Sequence, residues 1–245
     1  MPKRRISQEG LKTIACVTML LDHIGGTVVL ACIQQGTGAD RAALVEVYEI
    51  LRTVGRLAFP IYAFLLVEGH SHTRNPARYA LRLLIAAALS EIPFDLAIFG
   101  RITWENQSVM LTLLIGFLML KTTEKCPELW VKIFAILPFA IAAELLGTDY
   151  GARGILVIAL FAFTGALRHK RIIQFFGLWF IFSPDHLMML NWLRGSFVTI
   201  QEFASLAVLP IALYGGHKTS KSRLLQWGFY LFYPAHLLLL YFLMK

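Results

Sequence analysis

The chain reads as an all-α, polytopic integral membrane bundle of about nine transmembrane helices, and three observations carry that reading. Hydrophobic residues make up 57% of 245 residues, with a mean hydropathy of +0.63. That is more apolar surface than one soluble core of this length buries, so the excess must face lipid. The apolar residues fall in runs close to the ~20 that a helix needs to cross the hydrocarbon core. Lys and Arg gather in alternate loops between those runs, the pattern of a cytoplasmic face.

The candidate spans are 13–33, 53–69, 79–99, 108–120, 130–147, 151–167, 172–193, 202–215 and 228–244. The fourth and eighth are short, and Ser183-Pro184-Asp185-His186 interrupts the seventh. These are the places for tilted, broken or re-entrant elements. One side collects Lys3, Arg4, Arg5, Lys12, Arg74, Arg78, Arg82, Lys121, Lys125, Lys132, Arg168, Lys170, Arg171, Lys218, Lys221 and Arg223. The other holds Arg41, Arg52, Arg56, Arg101, Arg153, Arg194 and Lys245. This asymmetry predicts a cytoplasmic N-terminus and an external C-terminus. The longest linker, 34–52, is too short for a soluble domain, so 1–245 is one membrane domain.

The net charge of +8 is spread over loops between apolar runs, so it is topological and no nucleic-acid partner is expected. Cys16, Cys32 and Cys126 have no CxxC spacing and read as reduced packing residues. The N-terminus resembles a signal peptide, but its apolar stretch contains Asp22 and His23 and no small-residue cleavage site follows. It is expected to stay as the first helix.

Ionisable side chains inside a span are costly, so they turn toward the protein interior and find partners there. Asp22 and His23 lie roughly 16 Å of helix rise beyond Lys12, near mid-membrane. Imidazole suits proton transfer or nucleophilic acyl transfer near neutral pH. A carboxylate beside it could orient the ring, although adjacent helical residues point about 100° apart. The alternative for His23 is a buried hydrogen bond between helices.

In the second span, Pro60 predicts a kink, Arg56 stands at the outer end, and Glu68, His70, His72 and Arg74 stand at the inner end. Arg74, Arg78 and Arg82 are four apart on one helical face. They fit either a solvated helix end or a phosphate site, because guanidinium forks suit phosphate. Glu91 and Asp95 share a face near the next outer end. There a carboxylate could take a proton from a nucleophile or pair with Arg56 or Arg101. Asp149 lies at an outer turn, Tyr214-Gly215-Gly216 at an inner one, and His236 in the last span needs an internal partner. No P-loop, HExxH, GxSxG or GxGxxG pattern occurs, and the histidines lack ligand spacing, so no metal is expected.

Taken in order, LKTIACVTMLLDHIGG, GRLAFPIYAFLLVEGHSHTRN, YALRLLIAAALSEIPFDLA, TLLIGFLML, DYGARGILVIAL, LPIALYGG and FYLFYPAHLLLL resemble the TraX family over almost the whole chain. The resemblance implies a bacterial inner-membrane N-acetyltransferase, with acetyl-CoA as acyl donor and the N-terminal amine of a pilin-like protein as acceptor. The family is in turn similar to the acyltransferase-3 group, whose first helix carries a basic residue, ten spacers and a His. Lys12 to His23 has that spacing, with Lys in place of the more usual Arg.

The resemblance implies His23 as catalytic base or transient acyl carrier, with Asp22 beside it, and Lys12 at the cofactor end with Arg74, Arg78 and Arg82. Arg56, Glu68, Glu91, Asp149 and His236 then form a buried polar set that orients the imidazole, binds substrate or holds the bundle together. Two other classes share these features. A transporter also uses intramembrane charges and broken helices, and in a noncatalytic pilus-assembly factor the polar core would be purely structural.

Overall fold

A computed structural model describes residues 5–35, 38–183, 200–217 and 222–245. Those residues are helical, with short connections and two isolated bridges, Ile6 to Tyr214 and Gln107 to Thr148. The first helix, α1 (Gln8–Gln35), starts where the Ser7 side chain accepts from the Gly10 amide at 3.1 Å, one of the orphan donors of a helix start. It widens into a π turn at Gly25–Val29, directly after Asp22 and His23. The Thr27 hydroxyl donates to the His23 carbonyl at 2.6 Å, satisfying an acceptor where the ladder changes register.

The predicted linker 34–52 is a correction. Most of it is a helix, α2 (Gly38–Gly55), packed along the second half of α1 and its π turn. Its charged residues hid it from a hydropathy count, yet Arg52 near its end points into the bundle. After a turn at Arg56 and Leu57 the chain continues as α3 (Ala58–His72).

Asn75 then caps α4 (Pro76–Phe99) by accepting from the Arg78 amide, with Pro76 at the first helical position. Gly100 ends the helix with φ 68°, a left-handed conformation that suits glycine. The remaining helices are α5 (Val109–Thr123), α6 (Leu129–Leu145), α7 (Gly151–Thr164), α8 (Lys170–Phe182), a 3-10 turn at Ile200–Ala207 that runs into α9 (Val208–Ala212), and α10 (Arg223–Leu243).

α3, α5 and α7 form the centre, with α5 buried along most of its length. Gly116 of α5 lets the Ile158 side chain of α7 press against its backbone, where a Cβ would collide. α1 packs on α2, α3 and α10, and α10 lies along α4. The periphery is apolar. In α6, Trp130, Ile133, Phe134, Leu137, Ile141 and Leu145 are all more than half exposed. A stripe of that kind is far beyond the single exposed apolar residues of a soluble surface. Two helical stretches, Gln8–Gln35 and Asp40–His72, the second spanning the turn at Arg56 and Leu57, are long and apolar enough to cross a membrane, by length and composition.

The seventh candidate span is helical to Phe182 and turns extended at Ser183. Pro184, Asp185, His186 and the rest of that span lie outside the described residues, as do Lys218 and Lys221. The eighth is a short broken element, not a full-length helix.

Candidate functional site

Two clusters of polar residues meet α1 from different sides. The Asp22 carboxylate takes a hydrogen bond from Arg52 Nη1 at 2.8 Å and a very short one from Arg56 Nη2. Arg56 is buried, donates through Nη1 to Gln201 Oε1 at 2.7 Å, and lies in the field of Asp149 and Tyr150. Close approach of the chains here depends on Gly55, whose missing side chain leaves the space that Asp22 fills.

His23 faces the other way. Its Nδ1 lies 2.6 Å from Nε2 of His236 on α10, and Nδ1 of His236 lies 2.6 Å from the Phe232 carbonyl. The two imidazole planes are 12° apart with centroids separated by 4.9 Å. That separation is what the hydrogen bond and two ring radii add up to when rings meet edge to edge, so the contact lies in the ring plane and is not a face-to-face stack. Tyr233, fully buried, packs edge-on against both histidines.

Asp22 and His23 therefore belong to different clusters, because neighbouring helical side chains diverge by about 100°. Lys12 and His23, by contrast, share a face of α1, since eleven residues are about three turns. At the Lys12 end lies a cavity of about 510 Å³ lined by Lys12, Tyr62, Glu68, Arg74, Arg82 and Tyr230, among others, within the ~300–1,000 Å³ typical of ligand pockets. The Lys12 ammonium sits 5.2 Å above the Phe229 ring. Arg82 lies over Tyr79 at 5.4 Å, and its buried Nε has no hydrogen-bond partner among the described residues. Tyr62 reaches from the cavity to the Cys16 thiol at 3.0 Å, one turn along α1 from Lys12 toward His23.

Of the residues expected at a cofactor end, Lys12, Arg74 and Arg82 come together in this cavity and Arg78 does not line it. Glu68 lines it too and contacts Tyr214 at 3.4 Å. Glu91 meets neither arginine proposed for it. It accepts from the Ser108 amide and, at 2.7 Å, from the Ser108 hydroxyl, closing the start of α5. Asp95 accepts from the Thr103 amide at 2.9 Å. Asp149 keeps accessible surface within the field of Arg56, Asp22 and Arg52. At the far end of α5, Lys121 bonds Glu124 at 2.7 Å and holds its carboxyl below the usual range.

Sequence reasoning missed Arg52, Gln201, Tyr62 and Tyr233. Arg52 carried a signal, standing one helical turn before Arg56 on the same face. The others join the site only through tertiary contacts.

The family described as TraX protein matches residues 7–244. The chain belongs to the TraX family. Among curated proteins, a probable fimbrial assembly protein FimC, serogroup H1, of Dichelobacter nodosus is 28% identical over 94% of this chain and 92% of its own length. The protein TraX of Escherichia coli is 29% identical over 61% of this chain and 53% of its own length. That second similarity therefore reaches about half of the longer TraX relative. No solved structure matches. In this TraX family member, the quoted motifs around His23, Arg56, Arg82 and His236 bring their polar residues to the walls of one bundle.

Proposed function

We propose that this protein is a multi-pass inner-membrane acetyltransferase that moves an acetyl group from cytoplasmic acetyl-CoA to an amine, the N-terminus of a pilin-like protein. The observation that carries the reading is the cavity at the Lys12 end of α1, where Arg82 presents a buried Nε with no partner among the described residues. An orphaned guanidinium nitrogen beside Lys12 and Arg74 suits a phosphate-bearing ligand. Lys12, Arg74 and Arg82 would hold the phosphates, and acetyl-CoA would supply an activated acyl group.

His23 is the reactive imidazole in this reading, able to hold the proton that an attacking amine gives up. It shares the face of α1 that carries Lys12 and Cys16. The Asp22, Arg52 and Arg56 cluster fastens the helices behind it, and Asp149, beside that cluster, would be a carboxylate partner for a cationic acceptor. Membership of the TraX family and the likeness to a fimbrial assembly protein support a pilus or conjugation role. The apolar periphery and alternating basic loops support a topology of about nine crossings.

The test uses purified full-length protein in nanodiscs, acetyl-CoA labelled in its acetyl group, and a synthetic pilin-like N-terminal peptide. Wild type is expected to add one acetyl group to the peptide amine and His23→Ala to lose that transfer. Transfer that survives His23→Ala would overturn the role of His23. Absence of both transfer and acetyl-CoA binding would favour a transport role for the intramembrane charges.

A further inference from the structure

A neutral imidazole has one N–H and one lone pair, and what holds one nitrogen decides what the other can do. The chain of contacts from α10 to α1 settles both rings. The Phe232 carbonyl can only accept, so the proton of His236 sits on Nδ1, 2.6 Å away. Among the described residues no carboxylate bonds His236, and burying an unpaired charge is costly, so the ring is neutral and its Nε2 carries a lone pair. That lone pair meets His23 Nδ1 at 2.6 Å in the plane of both rings. The proton of His23 therefore sits on Nδ1.

We propose that His236 fixes the tautomer and ring orientation of His23, leaving Nε2 of His23 as its basic nitrogen. His236 is a positioning residue, acting only through His23. The position next to His23 suggested Asp22 for this task, but its carboxylate is held by Arg52 and Arg56. A histidine on α10 does what a neighbouring carboxylate does elsewhere, without placing a negative charge beside His23. The packing supports a fixed geometry. His236 is buried, its ring lies against Phe232 with centroids 4.8 Å apart, and Tyr233 walls both imidazoles. Among the described residues, Nε2 of His23 has no protein hydrogen-bond partner.

The consequence for catalysis rests on the acetyltransferase reading, but the tautomer does not, and the experiment separates them. Full-length protein with 15N-labelled histidine is reconstituted in nanodiscs, and the ring signals of His23 are identified by their loss in His23→Gln. Wild type is expected to show a protonated Nδ1 and a lone-pair Nε2 for His23. The reverse assignment, which a doubly protonated His236 would produce, overturns the proposal without any variant. His236→Phe keeps an aromatic ring and removes the acceptor, so the His23 signals should shift toward mixed tautomers. Unchanged signals in that variant would overturn the proposal. His236→Gln can place an amide oxygen where Nε2 stood and should restore part of the Nδ1-protonated population.

In the acetyl-transfer assay, His236→Phe should lower kcat about 100-fold, the scale of a misplaced general base, with KM for acetyl-CoA unchanged. A parallel loss in acetyl-CoA affinity would argue for general damage to the bundle and against positioning. If the wild-type tautomer is as stated but no acetyl transfer occurs, the acetyltransferase reading fails and the tautomer assignment stands.

Discussion

Arg56 reaches Asp22, thirty-four positions earlier in the chain, with a very short hydrogen bond, and a second guanidinium from Arg52 holds the other carboxylate oxygen. The side chains keep only 13% of their surface exposed at Asp22 and 10% at Arg56. Pairs this deeply buried are costly to break, because removing one partner strands the other charge.

Asp22→Asn should therefore destabilise the protein by about 3–5 kcal/mol, read as a lower thermal midpoint in detergent. The double variant Asp22→Asn/Arg56→Gln should recover part of that loss. Additive losses would show that the two residues are not coupled.

Gly55→Ala tests the same contact sterically. A Cβ at that position would fall within the Asp22 side chain, and overpacking of this kind costs about 1–3 kcal/mol. Thermal unfolding should fall accordingly, and a neutral effect would show that α2 and α3 stand farther from α1.

Arg82→Gln should weaken acetyl-CoA binding about tenfold, equivalent to ~1.4 kcal/mol, whereas Arg78→Gln should leave it unchanged. The contrast follows from the cavity, which Arg82 lines and Arg78 does not. Titration calorimetry on the two variants measures it, and equal effects would point to diffuse surface charge.

Glu91→Ala should lower stability by about 1–2 kcal/mol, the scale of a lost helix cap, while leaving kcat for acetyl transfer near wild type. Glu91 is spent on the Ser108 amide and hydroxyl. A collapse of kcat at unchanged stability would instead make it a catalytic group.

Reporters fused after residue 124 and after residue 245 should give opposite compartment signals, since the charge asymmetry assigns Lys121 and Lys125 to the inner side and Lys245 to the outer. Matching signals would remove one crossing from the bundle.

The residue order alone determined the all-helical character, the rough positions of most helices, and the shortlist of polar residues that lipid does not tolerate. Periodicity also put Lys12 and His23 on one face, because helix geometry is local. It could not say which way each intramembrane side chain pairs. Asp22 and His23 are neighbours in sequence, yet the packing of α2 and α3 on one side and α10 on the other gave them separate partners. α2 itself was hidden because its charges lower the hydropathy of a helix that packs through one face. The pairing of His23 with His236, 213 positions apart, was decided only by the tertiary structure, since a hydrogen bond a few ångströms long depends on where two distant helices come to rest.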